Sequence, residues 1–242
     1  MNLCVDQGNT NIKAGIFNAD KLIETFVFPS VEWKTLFDLK THFPIDACIV
    51  SSVKSQQQNF ISIFRQEFKQ CIELNFSTKI PVNNLYKTPE TLGNDRLAAV
   101  IGAQTLQPDT DLLVIDAGTA ITYDFIDAQQ NFYGGNIAAG INLRLKALNA
   151  FTDRLPLIEL QEDCPFPGID TRSAILSGAI YGIVFEIDGY INELKIKYPK
   201  LSTFLTGGSI FYFENKLKNA IFAEKNLVLI GLNRILQYNV QK

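Results

Sequence analysis

Short uninterrupted apolar runs alternate along this chain with longer runs in which apolar residues recur every three or four positions. That pattern predicts buried strands interleaved with amphipathic helices, an α/β protein. Residues 2–6 (N-L-C-V-D) predict a buried strand and Gln7-Gly8-Asn9-Thr10 a turn. Residues 11–17 and 21–28 predict two more strands, joined as a hairpin at Asn18-Ala19-Asp20. In 31–43 the residues Val31, Leu36, Leu39 and Phe43 share a helical face until Pro44 ends the helix, and 45–50 return as a strand. Residues 55–70 predict a helix striped by Phe60, Ile63, Phe64 and Phe68, and 95–106 one with Leu97, Val100 and Ile101 inward.

The pattern then restarts. Gln107-Pro108-Asp109-Thr110 interrupts the periodicity, which sets expected domains at 1–109 and 110–242. Residues 111–116 (D-L-L-V-I-D) repeat the opening strand, Ala117-Gly118-Thr119 its turn and 121–127 the next strand, with a further turn at Ala128 to Asn131. Asp116 and Gly118 follow Asp6 and Gly8 at one offset of 110 positions, which favours duplication over two unrelated hairpins. Beyond these strands the sequence predicts a turn at Gly134-Gly135, a helix over 142–151 and a loop containing Pro156, Pro165 and Pro167. A long helix over 171–197 follows, whose Gly178, Gly182 and Gly189 predict a close helix crossing. Strand 201–205 leads to Thr206-Gly207-Gly208, and a helical C-terminal part carries Leu217, Ile221, Leu232 and Leu236.

Composition narrows the function. The 242 residues are 47% hydrophobic and 19% charged, which excludes a disordered chain. A net charge of −3 without basic runs argues against nucleic acid or an anionic membrane as partner. The single histidine, His42, cannot build a multi-histidine zinc site, and its place at a helix end suits a surface or capping residue. Cys4, Cys48, Cys71 and Cys164 are scattered without a C-x-x-C pair, as expected in a reducing cytoplasm. Asp6 leaves no room for a signal peptide's apolar region, and the uncharged stretch from Ser173 to Phe185 is too short to span a bilayer. A cytoplasmic location is therefore expected, with acid–base chemistry falling mainly to carboxylates.

Three places could carry that chemistry. Asp6 and Asp116 each end a strand and are followed two positions later by glycine, so a carboxylate and an open backbone would meet a ligand together. With Asn9, Thr10 and Lys13 this suits a phosphate chain held through metal ions, although a D-x-G turn also simply tightens a hairpin. The chain has no G-K pair and no G-x-G, so other phosphate loops do not compete. Gly93-Asn94-Asp95-Arg96 opens a helix after a loop bearing Tyr86 and Pro89. There Asp95 suits either a helix-start carboxylate or a general base beside a cation, Arg96. Thr206-Gly207-Gly208 fits a close-lying nucleobase or a plain turn, and Asp170 or Thr171 fits the N-cap of the long helix.

Together these elements resemble the sugar-kinase, Hsp70 and actin superfamily, and within it the type III pantothenate kinases. The resemblance rests on D-Q-G-N-T-N-I-K at 6–13, G-N-D-R at 93–96, D-A-G-T-A at 116–120 and G-G-N-I-A-A-G at 134–140. D-T-R-S-A-I-L-S-G at 170–178 and T-G-G at 206–208 complete an ordered set that spans nearly the whole chain. It departs at Ala139-Gly140, where the family more often has Pro-Gly. The resemblance implies two duplicated RNase H-like (actin-like ATPase) domains with a nucleotide cleft between them. It also implies transfer of the ATP γ-phosphoryl group to pantothenate, the first step of coenzyme A biosynthesis. Asp95 would be the proton acceptor. Asp6, Gln7, Gly8, Asn9, Thr10, Asn11, Ile12, Lys13 and Thr119 would hold ATP. Asp116 would contact a monovalent cation (K⁺ or NH₄⁺) required beside Mg²⁺. Tyr86, Gly93, Asn94, Asp95, Arg96 and Thr171 would line the pantothenate pocket, and the assembly would be a homodimer. Two rival readings remain: another small-polyol or sugar kinase of the superfamily, and an inactive nucleotide-binding regulator. Retention of Asp6, Lys13, Asp95 and Asp116, without a basic helix, opposes the regulator.

Overall fold

The computed structural model describes residues 1–8, 11–52, 58–161 and 164–240. Strands β1 (Asn2–Gln7), β2 (Asn11–Asn18) and β3 (Lys21–Pro29) form an antiparallel meander. A 3₁₀ stretch over Ser30–Asp38 and the short α1 (Leu39–His42) lead to β4 (Ala47–Ser52), α2 (Gln58–Glu67) and β5 (Gln70–Glu73). The sheet order is β3-β2-β1-β4-β5, with β4 parallel to both β1 and β5. The two-residue strand β6 (Asn83–Asn84) and α3 (Asn94–Leu106) complete the first half.

The second half runs β7 (Leu112–Ala117), β8 (Ala120–Ile126), β9 (Asn131–Ala139), α4 (Ile141–Ala150), α5 (Thr171–Lys197), β10 (Ser202–Thr206), β11 (Phe222–Ala223) and α6 (Leu227–Val240). Its sheet order is β11-β10-β7-β8-β9-β6. Without β6 this reproduces the first sheet strand for strand. β1 and β7 are again 110 positions apart, each paired antiparallel with the next strand and parallel with the strand that returns beside it. Asp6 thus lies across from Lys13 and Ser51, and Asp116 across from Thr122 and Thr206.

The chain forms two compact units. One comprises Met1–Asp109, Ala128–Tyr133 and Asn226–Lys242; the other comprises Thr110–Asp127 and Gly134–Lys225. The last helix belongs to the first unit, apart from the residues that precede it in sequence. Helix α6 packs against α3, β1, β2 and β4. Its buried Asn233 accepts from the Asn2 side chain at 2.9 Å and donates to the Ala19 carbonyl at 2.9 Å, and Gln237 donates to Asp20 at 2.9 Å. Buried amides must be paired, so these bonds fix α6 on the first unit.

The first unit's core comes from Leu3, Val5, Ile12, Ala14 and Ile16 of the sheet, packed on Leu36, Leu39, Phe64 and Phe68. In the second, Ile175, Ile180, Ile183, Ile187 and Ile191 of α5 meet Leu113, Ile115 and Leu205 of the sheet. By length and composition α5 could cross a membrane, but 56% of its most apolar window is buried inside the protein, so it serves as a core helix.

Three local expectations are corrected. Gly134-Gly135 lies inside β9 rather than in a turn; a Cβ on Gly135 would overlap the Tyr123 carbonyl of β8, so the glycine permits close strand approach. The close helix crossing is not at Gly178, Gly182 and Gly189, where a Cβ meets at most Arg144 at 3.7 Å. It lies between α3 and α6, where a Cβ on Gly102 would overlap the Leu227 carbonyl and one on Gly231 the Ala98 carbonyl. The C-terminal helix begins only at Leu227; Leu217 and Ile221 reach the second core from irregular chain.

Candidate active site

In the first unit the D-Q-G-N segment leaves the end of β1 and enters β2 through a turn closed by the Gly8 N–H donating to the Asn11 carbonyl at 3.0 Å. Asp6 and Lys13 are cross-strand partners, so both side chains leave the same face of the sheet, and Asn11 is exposed. Gln7 and Ile12 face the opposite way and are fully buried. Ile12 belongs to the hydrophobic core, so a ligand could meet only its backbone. Gln7 accepts from the Ser52 hydroxyl at 2.8 Å, tying the end of β1 to the end of β4. Asn9 and Thr10 lie outside the described residues.

The same unit assembles the second cluster. Gly93 is the N-cap of α3, and Asp95 in the first turn accepts from the Arg96 backbone N–H at 2.9 Å through Oδ1. A Cβ on Gly93 would stand 2.5 Å from that oxygen, so the glycine gives the carboxylate its place. Asn94 donates to the Leu74 carbonyl at 2.8 Å and pins the helix start. Arg96 is buried, with its guanidinium 5.5 Å from the centre of the Tyr86 ring, which in turn stacks on Phe132 at 6.4 Å. Tyr86, Gly93, Asn94, Asp95 and Arg96 therefore form one cluster. Asp95 is half-buried, and the helix-start reading holds only in that its carboxylate accepts from one first-turn N–H, that of Arg96.

In the second unit three separate motifs converge on the Asp116 turn. The Gly118 N–H donates to the Ala120 carbonyl at 3.0 Å, the counterpart of the Gly8 bond. Gly140 donates to the Thr119 carbonyl at 3.0 Å, and a Cβ there would overlap the carbonyls of Gly118 and Thr119. Gly207 sits at φ +102° with a would-be Cβ 2.5 Å from Asp116 Oδ1, and Ser209 donates to the Ala117 carbonyl at 3.0 Å. Glycine at 140 and 207 is thus required for the backbone to close on the acidic turn. Thr119 is exposed beside it.

A network that sequence reading missed braces this turn. Arg144 donates to the Ala139 carbonyl at 2.7 Å and to Glu186 at 2.6 Å, while the Tyr123 hydroxyl donates to the other Glu186 oxygen at 2.7 Å. Burial, then the bond to Glu186, pushes the Tyr123 hydroxyl far above its ordinary range, so it remains a donor. The Ala139-Gly140 loop is thereby held by a side chain. The available signal was Glu186 itself, a charge at the end of an otherwise uncharged apolar stretch.

Thr171 is the exposed first residue of α5, and Asp170 is its N-cap, accepting from the Ser173 N–H at 2.8 Å within a capping box. His42 is exposed at the end of α1, its ring 2.9 Å from the Thr41 hydroxyl, as a surface residue would be. Among the described residues no three His, Cys, Asp or Glu side chains cluster as a ready-made metal cage. Single carboxylates beside turns with open backbone fit cations that are shared with phosphate oxygens instead.

A family model described as type III pantothenate kinase matches residues 2–193. The type III pantothenate kinase of Phocaeicola vulgatus is 47% identical over 239 residues, covering 99% of each chain. The chain belongs to the type III pantothenate kinase family. Among solved structures, one described as a conserved Baf family transcriptional activator from Campylobacter jejuni superposes with a TM-score of 0.64 at 24% identity, covering 98% of both chains. A ROK hexokinase from Thermus thermophilus gives 0.55 at 12% identity over 99% of both. These likenesses show the fold: the α/β architecture of actin-like ATPases and sugar kinases, repeated here in two units.

Proposed function

We propose that this chain transfers the γ-phosphoryl group of ATP to the primary hydroxyl of pantothenate, giving 4'-phosphopantothenate on the route to coenzyme A. Full-length membership of the family carries the reaction; the Tyr86–Arg96–Asp95 cluster supports the placing of its acceptor side. Asp95 takes the proton of the attacking hydroxyl. One of its oxygens is held by the Arg96 N–H, and the other makes no hydrogen bond with a described residue. Buried Arg96 supplies a fixed positive charge for the substrate carboxylate, and Tyr86, Gly93 and Asn94 shape the pocket around it.

On the ATP side, the Gly8 N–H is already bonded, so glycine there contributes room for phosphate, while Asn11 and Lys13 contribute donor and charge. Asp6, Gln7, Asn9, Thr10 and Ile12 complete the loop, and Thr119 offers an exposed hydroxyl at the second acidic turn. Asp6 would share Mg²⁺ with the phosphates, and Asp116, next to the close-packed Gly207, would hold K⁺ or NH₄⁺. These cations would supply the charge neutralisation that phosphoryl transfer requires. The protein acts in the cytoplasm as a homodimer. An apolar depression of about 440 Å³ on α4 and α5, lined by Leu148, Phe151, Gly178 and Ala179, supports self-association, and Phe151 is 88% exposed.

Incubation with ATP, Mg²⁺, K⁺ and pantothenate should yield phosphopantothenate, with lower turnover when Na⁺ replaces K⁺ and none with a hexose acceptor. Phosphorylation of the hexose instead would overturn the reading. Equal rates in both salts would remove the Asp116 assignment.

A further inference from the structure

The chain holds one pair of cysteines that the kinase reading does not use. Cys48 on β4 and Cys71 on β5 are direct partners in the parallel ladder, so their side chains leave the same face of the sheet side by side. Adjacent strands lie about 4.8 Å apart, inside the Cα separation of about 4.4–6.8 Å that a disulfide spans. β5 is the edge strand of its sheet, free on its outer side to make the small shift that bond formation requires. The two thiols differ in setting. Cys48 is fully buried beside Leu3 and Val50, whereas Cys71 is partly exposed.

We propose that Cys71 and Cys48 form a peroxide-reactive dithiol, with Cys71 the attacking thiol and Cys48 the resolving one. The charges around the pair suit this division. The neighbouring Cys48 thiol, then Arg65 on α2, lower the Cys71 thiol below its ordinary range against burial and Glu73. Arg65 itself bridges to Glu73 at 3.3 Å. The neighbouring Cys71 thiol, then burial, raise the Cys48 thiol above its ordinary range, and Lys40 opposes only weakly. A thiolate that is accessible and near a cation is the form that reacts with peroxide.

In the first step the Cys71 thiolate attacks hydrogen peroxide. An S–O bond forms, the O–O bond breaks, and the departing hydroxide takes a proton to become water. The Cys71 sulfur is left as a sulfenic acid, oxidised by two electrons. Cys48 sulfur then attacks that sulfur: the S–S bond forms, the S–O bond breaks, and the leaving hydroxide takes the Cys48 proton. Two thiols and one peroxide become one disulfide and two waters.

The test exposes the full-length reduced protein to hydrogen peroxide, alkylates remaining thiols and maps them by mass spectrometry. Cys48 and Cys71 should lose alkylation together, appear as one linked peptide pair and recover with dithiothreitol, while Cys4 stays reduced. In Cys48→Ser the linked pair should vanish and Cys71 should accumulate as a dimedone-trapped sulfenic acid. In Cys71→Ser, which alters a partly exposed site and serves if the core variant fails to fold, Cys48 should remain reduced. Oxidation of Cys48 without Cys71, linkage of Cys71 to Cys164 or to a second chain, or persistent alkylation of both would overturn the proposal.

Discussion

Asp95 and Asp188 are both carboxylates on helices, yet their surroundings assign them opposite tasks. Asp95 is half-buried with one oxygen engaged by a single N–H, an arrangement compatible with accepting a proton. Asp95→Asn should therefore lower kcat by roughly 10²–10⁴, the usual worth of a positioned base, while ATP affinity measured by calorimetry stays as in the parent. Unimpaired kcat would remove Asp95 from the role. Asp188 on α5 is buried and saturated, accepting from the Lys218 and Asn219 N–H groups and from the Asn219 side chain at 2.9–3.2 Å. Burial pushes its pKa up, but those bonds outweigh it and hold the carboxyl below the usual range. Its stabilisation is thus present above the ordinary carboxylate pKa and fades as pH falls through the lowered value. Asp188→Asn should cost on the order of 1 kcal/mol at neutral pH, and the gap from the parent should close below pH ~4. Parallel denaturation curves at the two pH values test this. The acidic strand ends were legible because a charged residue closing an apolar strand is conspicuous. The buried role of Asp188 was not, because its partners lie 30 residues away in irregular chain.

At the scale of elements, glycine spacing within one helix misled where glycine pairing between helices decided. Gly178, Gly182 and Gly189 follow a small-residue spacing along α5, but a Cβ at 178 or 189 meets nothing within 4 Å. Gly102 and Gly231 have no such spacing in sequence and yet face each other's backbone. Gly102→Ala or Gly231→Ala should destabilise by about 1–3 kcal/mol or more, as overpacking does. Gly178→Ala should be neutral or gain up to ~1 kcal/mol from helix propensity. Thermal denaturation of the three variants separates these outcomes; a harmless Gly102→Ala would disprove the crossing. The Gly207 and Gly140 contacts belong to the same class. Each motif could be recognised in sequence, but their closing on one acidic turn is a matter of sheet order, since β7 lies beside β10 and the chain after β9 folds back over it.

At the scale of the molecule, the last helix completes the first unit. Asn233, Gln237 and Leu229 reach Asn2, Ala19, Asp20 and Gly15, all near the chain's beginning. A chain ended at Lys225 should therefore lose hydrogen-exchange protection in β1 to β4 and α3 while keeping it in β7, β8, β10 and α5. Retained protection throughout would mean that α6 is dispensable. The duplication, the acidic turns and the family motifs were determined by the sequence alone. Strand periodicity, turn chemistry and a repeat offset are local or translational properties, and each leaves its mark in residue order. The tertiary structure alone decided which unit receives α6, which glycines face backbone, and which amides and carboxylates become buried partners. Those depend on contacts between residues far apart in the chain, where many pairings satisfy the same hydrophobic pattern and only close packing and hydrogen-bond satisfaction choose among them.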